Sequence, residues 1–115
     1  MKKALAILWT IIIIILCSLP GKDLPSVDIL NFDKVAHFGV MWLWAILWMW
    51  DKPSHSLIFI AILGGVFGTA IEFYQERLPW ERSFDWFDAL ADFIGACLGA
   101  LTWWIGSKFM KARNV

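Results

Sequence analysis

A chain of 115 residues that is 60% hydrophobic, with nine Trp and nine Phe, carries more apolar surface than a soluble domain of this size can bury. Its ten basic and ten acidic side chains cancel, so bulk charge gives no basis for binding nucleic acid or a polyacidic partner. With no long repeat, low-complexity stretch or linker, the chain reads as one domain over residues 1–115.

The first apolar run, about Ala4 to Leu19, follows Lys2 and Lys3 and has the outline of a secretory signal. Its exit, Leu16-Cys17-Ser18-Leu19-Pro20, lacks a small-x-small cleavage pattern and fits a lipoprotein site poorly, so a retained helix is expected. Pro20-Gly21 and Pro25-Ser26 end it, and Asn31 and Asp33 offer N-cap oxygens to the next helix. That second run, about Val35 to Trp50, turns through Asp51-Lys52-Pro53-Ser54 into a third, about Leu57 to Tyr74. A short charged loop from Glu76 to Trp86 leads to the fourth, about Phe87 to Ile105.

A hydrocarbon core of about 30 Å needs about 17 to 25 helical residues, so the four runs read as spans, the first two at the short limit. Trp9, Trp48 and Trp50 at the interfaces and snorkelling Lys2, Lys3 and Lys34 would complete them. The expected fold is an all-α membrane protein, a bundle of four short transmembrane helices. With a cytoplasmic N-terminus, the inner side holds Lys2, Lys3, Lys52, Lys108, Lys111 and Arg113 against Lys22, Lys34, Arg77 and Arg82 outside, which favours both termini in the cytoplasm. Asp51 alone among the acids then lies inside, and the outer face is the chemically loaded one.

Within the spans, polar and small residues share faces. Gly64, Gly68, Glu72 and Gln75 recur at helical spacing on the third span, and Asp85, Asp88, Asp92, Gly95 and Gly99 on the fourth. Glycines at this spacing let helices approach closely in lipid. The expectation is therefore that spans three and four pack through their glycines, with Ile60 turned toward lipid. Carboxylates facing lipid at mid-bilayer cost about 2.5 to 3.5 kcal/mol each, so Glu72, Asp88 and Asp92 should face protein or a wet cavity. Lys34 and His37 enter the second span from the same side, and Arg82, in the loop between the two stripes, is the expected counter-ion.

The remaining features carry less. Cys17 and Cys97 lie inside apolar runs at different depths, which argues for small buried side chains rather than a disulfide, and no Cys/His spacing marks a zinc site. No residue is assigned to a metal from spacing, and the cofactor is left open. Trp residues read as aromatic belts, and no GxSxG, Walker loop, HExxH or dinucleotide fingerprint occurs.

On these residues the chain resembles the VanZ-like family of small bacterial membrane proteins, named for a teicoplanin-resistance protein. The resemblance runs from about Asp33 to Leu101. One motif is Asp33-Lys34-Val35-Ala36-His37-Phe38; the other runs from Glu72-Phe73-Tyr74-Gln75 through Pro79, Arg82 and Ser83 to Asp85, Asp88, Gly95 and Gly99. Asp92 departs from the pattern, since such proteins commonly show Asn there, and a carboxylate in that position weakens any role needing an amide donor. The resemblance implies a multi-pass protein of the bacterial plasma membrane, a cell-envelope role and low-level glycopeptide tolerance. It supplies no agreed reaction.

The leading functional expectation is an outer-face pocket that recognises a lipid-linked or phosphorylated envelope ligand. Lys34, His37 and Arg82 would meet anionic oxygens, while Glu72, Gln75, Asp85, Asp88 and Asp92 orient the head group or hold a cation. An alternative makes His37 or Glu72 a general acid/base acting on an envelope lipid, with or without a divalent metal. A second alternative is passage of a small ion or proton.

Overall fold

In the computed structural model, residues 1–19, 29–53, 56–79 and 84–113 are described. They form four helices, α1 (Lys2–Ser18), α2 (Ile29–Asp51), α3 (Leu57–Glu76) and α4 (Trp86–Arg113), with no strand among the described residues. Each helix follows a run of apolar residues free of Pro, and local chemistry sets the starts. The Ser56 hydroxyl accepts from the Phe59 N–H at 3.0 Å and caps α3. The Asp85 carboxylate accepts from the Phe87 N–H at 2.9 Å and caps α4. The α2 helix starts earlier than expected, at Ile29, so Asn31 and Asp33 lie inside its first turns instead of capping it. The breakers Pro20-Gly21 and Pro25-Ser26 lie outside the described residues.

The helices alternate in direction. Cys17 of α1, Lys34 of α2, Gln75 of α3 and Asp85 before α4 meet at one end through hydrogen bonds and ion pairs. At the other end the Lys2 ammonium lies 5.2 Å from the Trp50 ring centre, joining the start of α1 to the finish of α2. There α4 carries Lys111 and Arg113 in its last turn.

Two helices, Leu57–Glu76 and Trp86–Arg113, are long and apolar enough to cross a membrane by length and composition. The other two fall short on that measure. The 17 residues of α1 reach only about 25 Å, and α2 is diluted by Trp with Lys34 and His37 near its start.

Apolar side chains lie on both sides of the helices. Ala6, Ala45, Ala96 and Ala100 are fully buried beside larger Ile13, Met41 and Ile60, while Val35, Ile58, Val66 and Phe87 are each more than 60% exposed. The glycines explain how the backbones come so close, and they correct the expected pairing. A Cβ on Gly64 or Gly68 of α3 would strike Ala96 or Asp92 of α4, as expected. On α4, however, Gly95 and Gly99 face the carbonyl oxygens of Phe38 and Trp42, so they seat α4 against α2. Helix α4 thus lies between α2 and α3, and each interface has its own small residues. Ile60 is also reassigned, from the lipid face to the core, at 2% exposure.

The Trp residues are not simply a belt. Thr10 on α1 accepts from the indole N–H groups of Trp44 at 3.0 Å and Trp48 at 3.4 Å, and donates its own hydroxyl to the Ala6 carbonyl. Trp9 donates to the Val40 carbonyl at 3.0 Å. Trp44 is 6% exposed and stacks on Phe67 with ring centres 5.5 Å apart. Indole N–H groups taken out of water need acceptors, and through these bonds Trp9, Trp44 and Trp48 link α1 to α2.

Candidate functional site

The buried polar side chains among the described residues are His37, Glu72, Gln75, Asp88 and Asp92. All sit at the end where α2 and α4 begin and α3 finishes. His37 comes from α2, Glu72 from α3 and Asp92 from α4, while Gly68, one turn before Glu72, leaves the space that the Asp92 side chain occupies.

His37 is at the centre. Its Nδ1 lies 3.0 Å from Asp92 Oδ1 and 4.0 Å from Glu72 Oε1, and its Nε2 lies 3.8 Å from Asp88 Oδ2. The imidazole therefore faces three carboxylates from two other helices. Glu72 is 2% exposed; its Oε2 accepts from the Asp85 N–H at 3.3 Å, which ties the end of α3 to the start of α4. Its Oε1 accepts no hydrogen bond among the described residues.

Lys34 brings a positive charge to the cluster. Its ammonium is 3.3 Å from Asp85 Oδ2 and 3.3 Å from Asp88 Oδ1, clamping α2 to the first turn of α4. Asp85 stands at the water-accessible rim. Burial works to raise its carboxyl, but the Phe87 N–H and the Lys34 ammonium outweigh that and hold it below the usual carboxylate range. Such a rim pair contributes little by itself; the Asp88 limb of the same pair, on a side chain 5% exposed, is shielded from water.

Of the residues expected from sequence, Lys34, His37, Glu72, Asp85, Asp88 and Asp92 converge. Gln75 is buried at the same end but turns away from the acids, its amide N–H donating to the Cys17 carbonyl at 3.2 Å, and so docks α3 on α1. Beside it the Tyr74 and Ser18 hydroxyls are hydrogen bonded at 2.8 Å. Arg82, the expected counter-ion, lies outside the described residues; among those described, Lys34 pairs with Asp85 and Asp88. The sequence reading also missed a ligand-like set. One donor atom each from His37, Glu72 and Asp92 lie within 4.8 Å of one another. No linear spacing announces a trio drawn from three helices.

On the outer side of α3 and α4 runs an apolar groove of about 830 Å³, lined by Ile62, Val66, Thr69, Phe73, Leu90 and Phe93, with Trp86 and Ala89 at its polar end. Phe73 and Ala89 are the chain neighbours of Glu72 and Asp88, so one end of the groove lies at the level of the polar cluster.

Fold and site together define a small all-helical protein with an apolar exterior and a buried acid–histidine cluster at one end. The chain belongs to the VanZ/LLP1 family, which it matches over residues 3–107. It is 32% identical over 104 residues to an uncharacterized protein of the fission yeast Schizosaccharomyces pombe. That match covers 87% of this chain and 62% of the yeast protein, so the chain spans less than two thirds of its relative. With a relative in a eukaryote, family membership alone does not place the chain in a bacterial envelope. No solved structure matches the chain.

Proposed function

We propose that the chain is a multi-pass membrane protein whose four helices cross the bilayer with both termini in the cytoplasm. Its polar end, at the outer face of the plasma membrane, would take the head group of a lipid-linked or phosphorylated envelope molecule. The observation that carries this reading is the burial of Glu72, Asp88, Asp92 and His37 at one end of a bundle whose outward side chains are apolar. Carboxylates held out of water are costly, and a bundle needing only stability is better served by apolar residues in those places. The groove between α3 and α4 reaches the level of that end and suits an acyl chain. In a bacterial host, low-level glycopeptide tolerance is the phenotype in which such binding would register.

The test is lipid mass spectrometry of the chain purified in mild detergent, compared with Glu72→Gln and Asp88→Asn. A polar or phosphorylated lipid enriched on the wild type over the bulk membrane and lost from both variants is the expected result. The same lipid profile on all three would overturn the reading. Reporter fusions after Val115 and at Pro79 test the orientation, and a cytoplasmic Pro79 loop would move the site to the inner leaflet.

One observation favours a catalytic version of this reading. His37 Nδ1 and Asp92 Oδ1 are 3.0 Å apart, the arrangement in which a carboxylate orients an imidazole for proton transfer. Turnover of an envelope lipid by purified protein, abolished in His37→Ala and Glu72→Gln, would establish it. Binding without turnover would leave the chain a recognition module.

A further inference from the structure

We propose that His37, Glu72 and Asp92 form a binding site for a divalent first-row transition ion, of the Mn²⁺ or Zn²⁺ class, through Nδ1, Oε1 and a carboxylate oxygen. Where the proposed lipid-binding role holds, the same ion would present its open positions to the phosphate oxygens of the lipid head.

The geometry comes first. A transition ion holds nitrogen and oxygen ligands at about 2.0 to 2.2 Å, which sets donor atoms about 3 to 4 Å apart around it. His37 Nδ1 is 3.0 Å from Asp92 Oδ1 and 4.0 Å from Glu72 Oε1, and the trio lies within 4.8 Å overall.

The second observation is independent of that spacing. Glu72 is 2% exposed, and its Oε1 is buried, directed toward His37, with no hydrogen-bond donor among the described residues. Nearly all buried carboxylate oxygens find a donor, so one held this way points to a group that the protein side chains do not supply.

Charge and chemistry agree with the geometry. Two of the three ligands are carboxylates, those of Glu72 and Asp92. A divalent cation would balance those two carboxylates with the imidazole neutral. One nitrogen and two carboxylate oxygens suit Mn²⁺ or Zn²⁺ better than Mg²⁺ or Ca²⁺, which take oxygen ligands. Asp88 approaches the far ring nitrogen, Nε2, at 3.8 Å, and Lys34 fixes Asp88 in turn. Binding of an ion at Nδ1 would replace its hydrogen bond with Asp92 Oδ1 and put the imidazole proton on Nε2, the side on which Asp88 lies. Three protein ligands leave positions open, at which the ion would meet the phosphate of an anionic head group.

The experiment uses the full chain in detergent, stripped with a chelator, and titrated with Mn²⁺ followed by electron paramagnetic resonance and with Zn²⁺ followed by calorimetry. One ion per chain is expected, with nitrogen hyperfine coupling on the Mn²⁺ signal. Glu72→Gln and Asp92→Asn, which keep side-chain shape, should each weaken binding by more than about tenfold, and Asp88→Asn by about 10- to 100-fold. Asp51→Asn, at the opposite end of the bundle, should leave binding unchanged. Circular dichroism on each variant confirms that the helices persist. Absence of a bound ion on the wild type, or equal affinity in helical Glu72→Gln, overturns the site. The lipid measurement above is scored separately: lipid retained by a chain that binds no ion defeats this inference alone, and an ion bound by a chain that enriches no lipid defeats only the lipid reading.

Discussion

Replacing Gly95 by Ala is the sharpest test of how this bundle is held together. A methyl group there meets the carbonyl oxygen, carbonyl carbon and Cα of Phe38, all backbone atoms of α2, none of which can turn aside as a side chain can. The helices must separate locally, and overpacking of this kind costs about 1 to 3 kcal/mol, with rigid backbone placing this case in the upper half. Ala improves the intrinsic stability of a helix interior by about 0.5 to 1 kcal/mol over Gly, so the net loss is about 1 to 2.5 kcal/mol. At about 4 °C per kcal/mol for a chain of this size, the melting temperature in detergent should fall by about 4 to 10 °C. Gly39 is the matched control: it lies in α2, nothing stands within 4 Å of an added Cβ, and Gly39→Ala should raise the midpoint by about 2 to 4 °C. Thermal unfolding of the two variants side by side decides the matter. Gly95→Ala melting at or above the wild type would refute the close seating of α4 on α2.

Three further outcomes are expected. Ile60→Ala, in the core at 2% exposure, should cost about 2 to 5 kcal/mol, whereas Ile62→Ala, 57% exposed, should change the unfolding midpoint little. Thr10→Val removes the acceptor shared by Trp44 and Trp48; about 1 to 3 kcal/mol of stability should go with it, accompanied by a shift in tryptophan emission. Because Asp85 is held below its usual range, its contribution is complete above the ordinary carboxylate value of about 3.9 and fades as the pH falls through the lower native one. Asp85→Asn should therefore flatten the acid limb of a stability-against-pH profile, and an unchanged limb would show that Asp85 adds nothing by its charge.

What could be read beforehand was the part of the structure that periodicity encodes. The third run and the core of the fourth are helices, and Gly64, Gly68, Glu72 and Gln75 are all buried, as are Asp88, Asp92, Gly95 and Gly99. Spacing reveals which residues share a face but not which helix stands opposite, and that is why Gly95 and Gly99 were paired with α3 when they seat α2. Ile60 went wrong for a related reason: an isoleucine on an apolar helix carries no mark of which side meets lipid. The Trp residues were assigned by a rule about membrane interfaces, and that rule cannot see an internal acceptor such as Thr10. The convergence of His37 with Glu72 and Asp92 was legible as a common end of the bundle. Their contact depends on α4 lying between α2 and α3, which is a property of packing.

That packing also bears on the choice among the functional readings. Passage of a proton or small ion needs polar or titratable groups continued across the membrane thickness. Among the described residues, the buried acids and the histidine stop at one end. Beneath them come Met41, Trp44, Ile60, Ala96 and Ala100, a core of apolar side chains. The Thr10–Trp44–Trp48 hydrogen bonds lie within this core, but their groups are spent on one another and none of them titrates near neutral pH. If the bundle crosses the membrane as proposed above, a cluster closed on its inner side with a rim pair above it is open to one side of the bilayer alone. Binding, or chemistry on a bound lipid, follows from that arrangement more directly than transport does. A proton flux in vesicles that is lost in Glu72→Gln would be the result that reverses the order.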